Sequence, residues 1–235
     1  MPSQPRTDLS LYWRAFPAYA RNLAVLLPPL LAAVVQQLLN YAGAQLTGPL
    51  GGIGMGIFGF IGQLVFGFAF GVSLIVADDA WRHERANLGT DWDEAKRKAG
   101  NILLATVGLF FMIYVAQMIG SILGGGGSLA AGALAVLFLV YTIPAASLGG
   151  SPGPYALSSS IQIARREPGR TLLLTVVSLF VYYFIGFMLP PILAAYVSFP
   201  SYVALQMLLP SLAIGYVALI VAKQYADIAF SRWWR

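Results

Sequence analysis

The chain has 235 residues, 58% of them hydrophobic and only 10% charged, with a mean hydropathy of +0.74. A soluble domain carries about 25% charged residues, so these figures exclude a soluble globular protein, a disordered chain and a nucleic-acid binder. The absence of Cys excludes disulfides, thiolate chemistry and Cys-based zinc sites.

The charged residues fall in four clusters. The first holds Arg6, Asp8, Arg14 and Arg21; the second runs from Asp78 to Lys98; the third is 165–170; the last runs from Lys223 to Arg235. Between them lie charge-free blocks at 22–77, 99–164 and 171–222, of 56, 66 and 52 residues. A spanning helix takes about 20 apolar residues, so each block is predicted to form a hairpin of two. Gly and Pro punctuation puts the turns at Gly48-Pro49-Leu50-Gly51-Gly52, Gly124-Gly125-Gly126-Gly127-Ser128 and Ser198-Phe199-Pro200-Ser201.

In chain order, 1–21 is an interfacial segment. Within it, 7–20 (TDLSLYWRAFPAYA) opens on a capping Thr7 and shares Leu9, Tyr12, Trp13 and Phe16 on one helical face. Span one covers 22–43 and span two 54–77. Residues 90–99 (TDWDEAKRKA) place Thr90 and Asp93 at capping-box spacing, then pair Asp93 with Arg97 and Glu94 with Lys98 at i,i+4. Spans three and four cover 101–123 and 129–149. Residues 154–166 start at Pro154 and align Leu157, Ile161 and Ala164. Spans five and six cover 171–195 and 202–226, and 223–235 forms a tail. Prolines at Pro28-Pro29, Pro144, Pro190-Pro191 and Pro210 are expected to kink or break their helices.

The expected fold is therefore all-α: one six-helix transmembrane domain, 1–235, of three hairpins with short amphipathic connecting helices. Two spans per block put every Lys and Arg on one side, which the positive-inside rule makes the cytoplasm. Both termini are expected there, in a cell (inner) membrane. Tyr41, Tyr196 and Tyr202 then mark the outer headgroups, and Trp13, Trp81, Trp92, Trp233 and Trp234 the inner ones. The N-terminal segment lacks the short apolar core and small-residue site of a cleavable signal. A connector followed by a hairpin occurs three times, the rhythm of an internal triplication.

Three stretches carry a resemblance: 11–27 (LYWRAFPAYARNLAVLL), 86–104 (ANLGTDWDEAKRKAGNILL) and 156–174 (ALSSSIQIARREPGRTLLL). The chain resembles six-span bacterial and archaeal membrane proteins of unknown function. It is more closely similar to the integral membrane domain attached to some glycerophosphodiester phosphodiesterases. That resemblance implies a helical membrane module; the phosphodiesterase barrel has no counterpart here, so no active-site residue follows from it.

Candidate sites are few. Asp79 and His83 lie i,i+4 at the end of span two, a spacing that can hold a metal, although a solvated helix end is the plainer reading. Lys223 at the end of span six is read first as snorkelling to the headgroups; the alternative is an ion pair with Asp227 one turn on, or with Asp78 or Asp79 at comparable depth, which would fasten span six to span two. Gly52 and Gly56, and Gly67 and Gly71, have small-xxx-small spacing for helix packing or a homodimer seam. Gln36, Gln37, Asn40, Gln63, Gln117 and Gln206 are buried amides, serving as interhelical glue or as the lining of a path for a neutral solute. No ionisable residue lies deep in a span, which argues against proton coupling. No cofactor is implied. The expected partners are the lipid bilayer and either a protein partner or a second copy. The expected function is a non-enzymatic module that scaffolds a partner or organises lipid, with a permease component for a neutral or amphipathic solute as the alternative.

Overall fold

The computed structural model describes residues 9–46 and 48–230, except the side chains of 48–51, 53 and 199. Thr7, Trp233 and Trp234 lie outside the described residues. Six helical stretches are long and apolar enough to cross a membrane: Leu23–Ala44, Gly54–His83, Leu88–Ser121, Gly125–Ser147, Pro168–Ala194 and Pro200–Ala229. No strand occurs among the described residues. The chain is an all-α polytopic membrane protein.

The first hairpin is α1 (Ser10–Arg21), a 3-10 turn (Leu23–Leu26), α2 (Leu27–Ala44) and α3 (Gly48–His83). The second is α4 (Leu88–Ser121), α5 (Gly125–Leu139) and α6 (Thr142–Ser147). The third is α7 (Gly153–Arg166), α8 (Pro168–Val181), a π-helical stretch (Tyr182–Met188), α9 (Leu189–Ala194) and α10 (Phe199–Ala229). The α2–α3 and α4–α5 pairs pack within their hairpins, while α10 also packs on α3 and α2 and closes the bundle. Span two is the most enclosed, 56% of its apolar window being buried, against 11% for span five, which is therefore peripheral.

The predicted turns are displaced by a few residues. Gly48 and Pro49 open α3 instead of preceding it, and Gly125 to Gly127 belong to α5. Proline fits the first helical turn, where its missing N–H costs nothing. Gly124 makes the turn itself, with φ +85, a conformation suited to glycine. Beyond that turn α4 and α5 come together at Gly120 and Gly127, where a Cβ on either would collide with the other's carbonyl oxygen.

The connectors differ from expectation in an informative way. The second is not a separate helix: 90–99 are early turns of the 34-residue α4. It lacks a proline, and its Lys, Arg and Ala favour continuation. At about 1.5 Å per residue α4 is roughly 50 Å long, beyond an apolar core of about 30 Å. Its apolar part begins near Asn101, and the charged turns before it extend past the membrane-spanning segment. The cap is Asn87, whose side chain accepts from Gly89 N, and not Thr90. Glu94 pairs with Lys98 as expected at 2.6 Å, but Asp93 takes Lys96 instead of Arg97.

Leu9, which precedes α1, and Trp13 and Phe16 within it stay exposed, while Leu11 and Ala15 are buried. Likewise α7 buries Ala156, Ser160 and Ala164. Small residues let a connector approach the bundle closely; in α1 the bulky face is left outward, whereas in α7 Leu157 packs on Gly108 of α4. The three units bury residues at one spacing: Leu11, Ala15, Asn22 and Val25; Asp91, Ala95, Ile102 and Ala105; Ser160, Ala164, Thr171 and Leu174. The junctions Asn22 and Glu167 share nearly the same backbone, φ/ψ −127/59 and −126/58. Glu167 precedes Pro168, which disfavours helical conformation before it.

The prolines act as expected at three places. Pro29 cannot donate to the Val25 carbonyl, and Ser73 Oγ from α3 donates to it instead at 3.1 Å. Ahead of Pro144 the helix breaks between α5 and α6. There Ser160 accepts from Tyr141 N at 3.0 Å and donates to Phe138 O at 2.8 Å. Ahead of Pro190 and Pro191 the helix widens into the π stretch. Pro210 stays inside a continuous α10.

Candidate functional site

At the charged end, the last turns of α3 hold their own ions. Asp78 pairs with Arg82 at 2.8 Å and Asp79 with His83 at 2.6 Å, while Asp79 Oδ2 accepts from Asn87 N at 2.9 Å. Asp79 thus ties α3 to the cap of α4. Asp79 and His83 are brought together, but no group of three metal-ligating side chains gathers among the described residues.

The predicted clamp between spans six and two takes a different form. Lys223 pairs with Asp227 on its own helix at 2.6 Å. An i,i+4 partner on one helix needs no tertiary alignment, and Asp78 and Asp79 already have partners within α3. What joins α3 to α10 is Trp81, whose Nε1 donates to Leu219 O at 2.9 Å.

Asp91, in the first turn of α4 at this same end, has no distinguishing signal in the sequence. It is only 5% exposed, and its Oδ2 has no hydrogen-bond partner. Burial pushes the carboxyl up to about 7, with Asp79 and Glu94 adding repulsion and His83 opposing. The N-terminus of α4 would favour a carboxylate by about 0.3–1 kcal/mol, so here desolvation outweighs the dipole.

The glycine pairs behave differently. A Cβ on Gly67 would strike Thr106, and one on Gly71 would strike Ile102, so both lie against α4. Gly52 and Gly56 face open space.

The amides separate too. Gln36 covers Gly62 and donates to Asn40 Oδ1 at 2.8 Å. Gln37, Asn40 and Gln206 meet at the turn end around a cavity of about 740 Å³ that Tyr202 and Phe187 also line. Gln206 donates to Tyr202 Oη at 2.7 Å. Gln117 rests on Gly132 of α5; Gln63, Asn40 and Gln206 are exposed and the other three only half-buried, so the expectation of buried amides is corrected. Three of the six amides therefore share one site.

A second cavity, about 290 Å³, was not foreseen. Its wall includes Phe66, Phe70, Phe110, Tyr182, Ile214 and Val217, and Thr175 and Ser178 contribute aliphatic hydroxyls. These residues sit near the middle of their spans, contributed by α3, α4, α8, the π stretch and α10. Leu179 also lines it and is 43% exposed, so the cavity reaches the lipid-facing surface beside α8. Its one sequence signal is the i,i+3 pair of hydroxyls in an otherwise apolar span.

The chain matches no family model, no curated protein and no solved structure.

Proposed function

We propose that the chain is a non-enzymatic integral membrane module that organises lipid by holding an apolar chain in the mid-span cavity. The observation that carries this reading is the cavity itself: almost wholly apolar, at mid-span, and open sideways where lipid is the solvent. Large apolar residues such as Leu31, Phe111, Phe180 and Phe187 cover the outward faces around it, as contact with a bilayer requires. His83, the only histidine, is paired on the charged end and lines neither cavity. The resemblance to a phosphodiesterase-linked membrane domain is consistent with a module that works beside a partner. We place the charged end in the cytoplasm of a cell's inner membrane, since every Lys and Arg lies on that side of the spans.

Two measurements test this. Lipids extracted from the purified protein should be retained by the wild type and lost from Ile214→Trp, which fills the cavity; equal retention by a folded variant defeats the lipid reading. Cysteines at Ser128 and Ser201 should react with an impermeant maleimide on intact cells, and one at Glu84 only after lysis. The reverse pattern inverts the orientation.

The amide-lined cavity favours a second reading, a permease component for a neutral or amphipathic solute. Its test is glycerol entry into proteoliposomes. Entry abolished by Gln37→Leu supports conduction; no entry above empty vesicles removes it.

A further inference from the structure

We infer that the occupant of the mid-span cavity is a neutral lipid carrying an oxygen, a hydroxyl or a carbonyl, that hydrogen-bonds Thr175 and Ser178. This rests on the lipid-holding reading above and names the chemistry of its ligand.

Helical Ser and Thr ordinarily satisfy a buried hydroxyl by donating back to the carbonyl four residues earlier. This protein does so repeatedly: Thr106 to Ile102, Ser147 to Ile143, Thr171 to Glu167 and Ser211 to Met207, at 2.6–2.9 Å. Thr175 and Ser178 do not. Both hydroxyls are buried without a partner, Thr175 being only 4% exposed, and both line the cavity. The contrast is sharpest between Thr106 and Thr175. They occupy the same place in their units, four residues after Ile102 and Thr171, yet only Thr106 bonds back.

At i and i+3 the two hydroxyls are neighbours on one face of α8. Each both donates and accepts, so a ligand carbonyl or hydroxyl can engage the pair, whereas a plain hydrocarbon leaves both unpaired. No charged side chain lines the cavity, and an ion at this depth is strongly disfavoured, so a charged headgroup is the wrong partner. The volume, about 290 Å³, is roughly twice the ~150 Å³ of an apolar cavity that accepts benzene. A ring or a medium alkyl segment fits.

The test compares 1-decanol with decane at equal loading in detergent, reading the thermal midpoint of the wild type and of Thr175→Val/Ser178→Ala. Decanol should raise the wild-type midpoint more than decane does. The double variant should lose that difference and keep its response to decane. An undiminished preference for decanol in the double variant overturns the inference, as does a wild type that responds alike to both. A wild type that responds to neither compound overturns the lipid-holding reading as well. Thr175→Val alone, nearly isosteric, covers the case of a poorly folding double variant. Oxygenated neutral lipids should be depleted from it relative to the wild type when both are purified from membranes, and unchanged retention contradicts the assignment.

Discussion

In the charged half of the bundle, side-chain hydrogen bonds join residues distant in sequence: Ser73 to Val25, Asn22 to Glu84 and Ala86, Trp81 to Leu219, Lys98 to Ser147, Gln224 to Tyr141. In the turn half they join near neighbours: Gln36 to Asn40, Ser121 to Met118, Ser198 to Ser201, Gln206 to Tyr202. The core follows the same division, for Val72 to Ala77 and Ala218 to Ala222 are buried, whereas Ile57, Phe60, Ile119 and Ile122 are exposed. One half is fastened by polar staples, two of which, Ser73 to Val25 O and Asn22 to Glu84 O and Ala86 N, meet backbone groups that a proline or a loop leaves without helical partners. The other is held by glycine contacts and faces lipid. The mid-span cavity lies between them, with the stapled half as its frame.

The largest expected effect comes from removing a staple. Asn22 is 5% exposed; its Nδ2 donates to the carbonyls of Ala18 and Glu84 at 3.1 Å, and its Oδ1 accepts from Ala86 N at 3.0 Å. Asn22→Leu strands those backbone groups and should cost about 3 kcal/mol. Gln36→Leu, which breaks an i,i+4 pair in the turn half, should cost no more than about 0.5 kcal/mol. Denaturation of both variants in one detergent measures the ratio, and equal losses would erase the distinction between the halves.

Those staples explain what could and could not be read from the chain. Six spans followed from charge-free blocks, because the bilayer imposes a length and excludes ions. The connector at 90–99 was misjudged as separate because nothing in local propensity stops a helix there. Ser73 and Ser160 are invisible as staples until the carbonyl or amide beside each proline is known to face them across the bundle. The shared face of Leu9, Tyr12, Trp13 and Phe16 is legible from spacing, but which side of α1 meets the bundle is not: Leu11 and Ala15 turn inward while Leu9, Trp13 and Phe16 stay exposed. Of the amide set, the meeting of Gln37, Asn40 and Gln206 needed the geometry of α2 against α10. The mid-span cavity draws on helices from all three hairpins, and no periodicity within one segment encodes it.

A smaller effect tests the stapled half from its weakest point. Where the other units bury Leu11 and Ser160, the second buries Asp91. Its carboxyl is raised from 3.8 to about 7 in the fold, so between those values the native state holds a proton that the unfolded chain has released. Its contribution to stability is therefore full below about pH 4 and is lost as pH rises through 7. Asp91→Asn should flatten this segment of the pH–stability curve and stabilise the protein at pH 8 by about 1–3 kcal/mol. Thermal midpoints at pH 5 and pH 8 decide it. A variant as pH-sensitive as the wild type would show that Asp91 is solvated.

The smallest effect concerns Lys223, whose partner among the three candidate carboxylates is Asp227 on its own helix. Its Nζ meets Asp227 at 2.6 Å, with the two side chains 34% and 51% exposed. Water screens such a pair, and holding two long side chains in place costs entropy, so its worth is about 0.3–0.5 kcal/mol. A tertiary clamp to Asp79 would be different: removing one ion would strand the other at the mouth of the bundle, and the double variant would be little worse than either single one. The structure gives Asp79 to His83 and to Asn87 N. Lys223→Ala and Asp79→Ala should therefore be additive within about 0.3–0.5 kcal/mol, whereas Lys223→Ala and Asp227→Ala should couple by no more than the pair is worth. Asp79→Ala should be the costlier single change, because it also uncaps the turn between α3 and α4. Strong coupling of Lys223 to Asp79 would mean that an ionic staple, and not only Trp81, crosses from α10 to α3, and the stapled half would then be held by charge as well as by neutral hydrogen bonds.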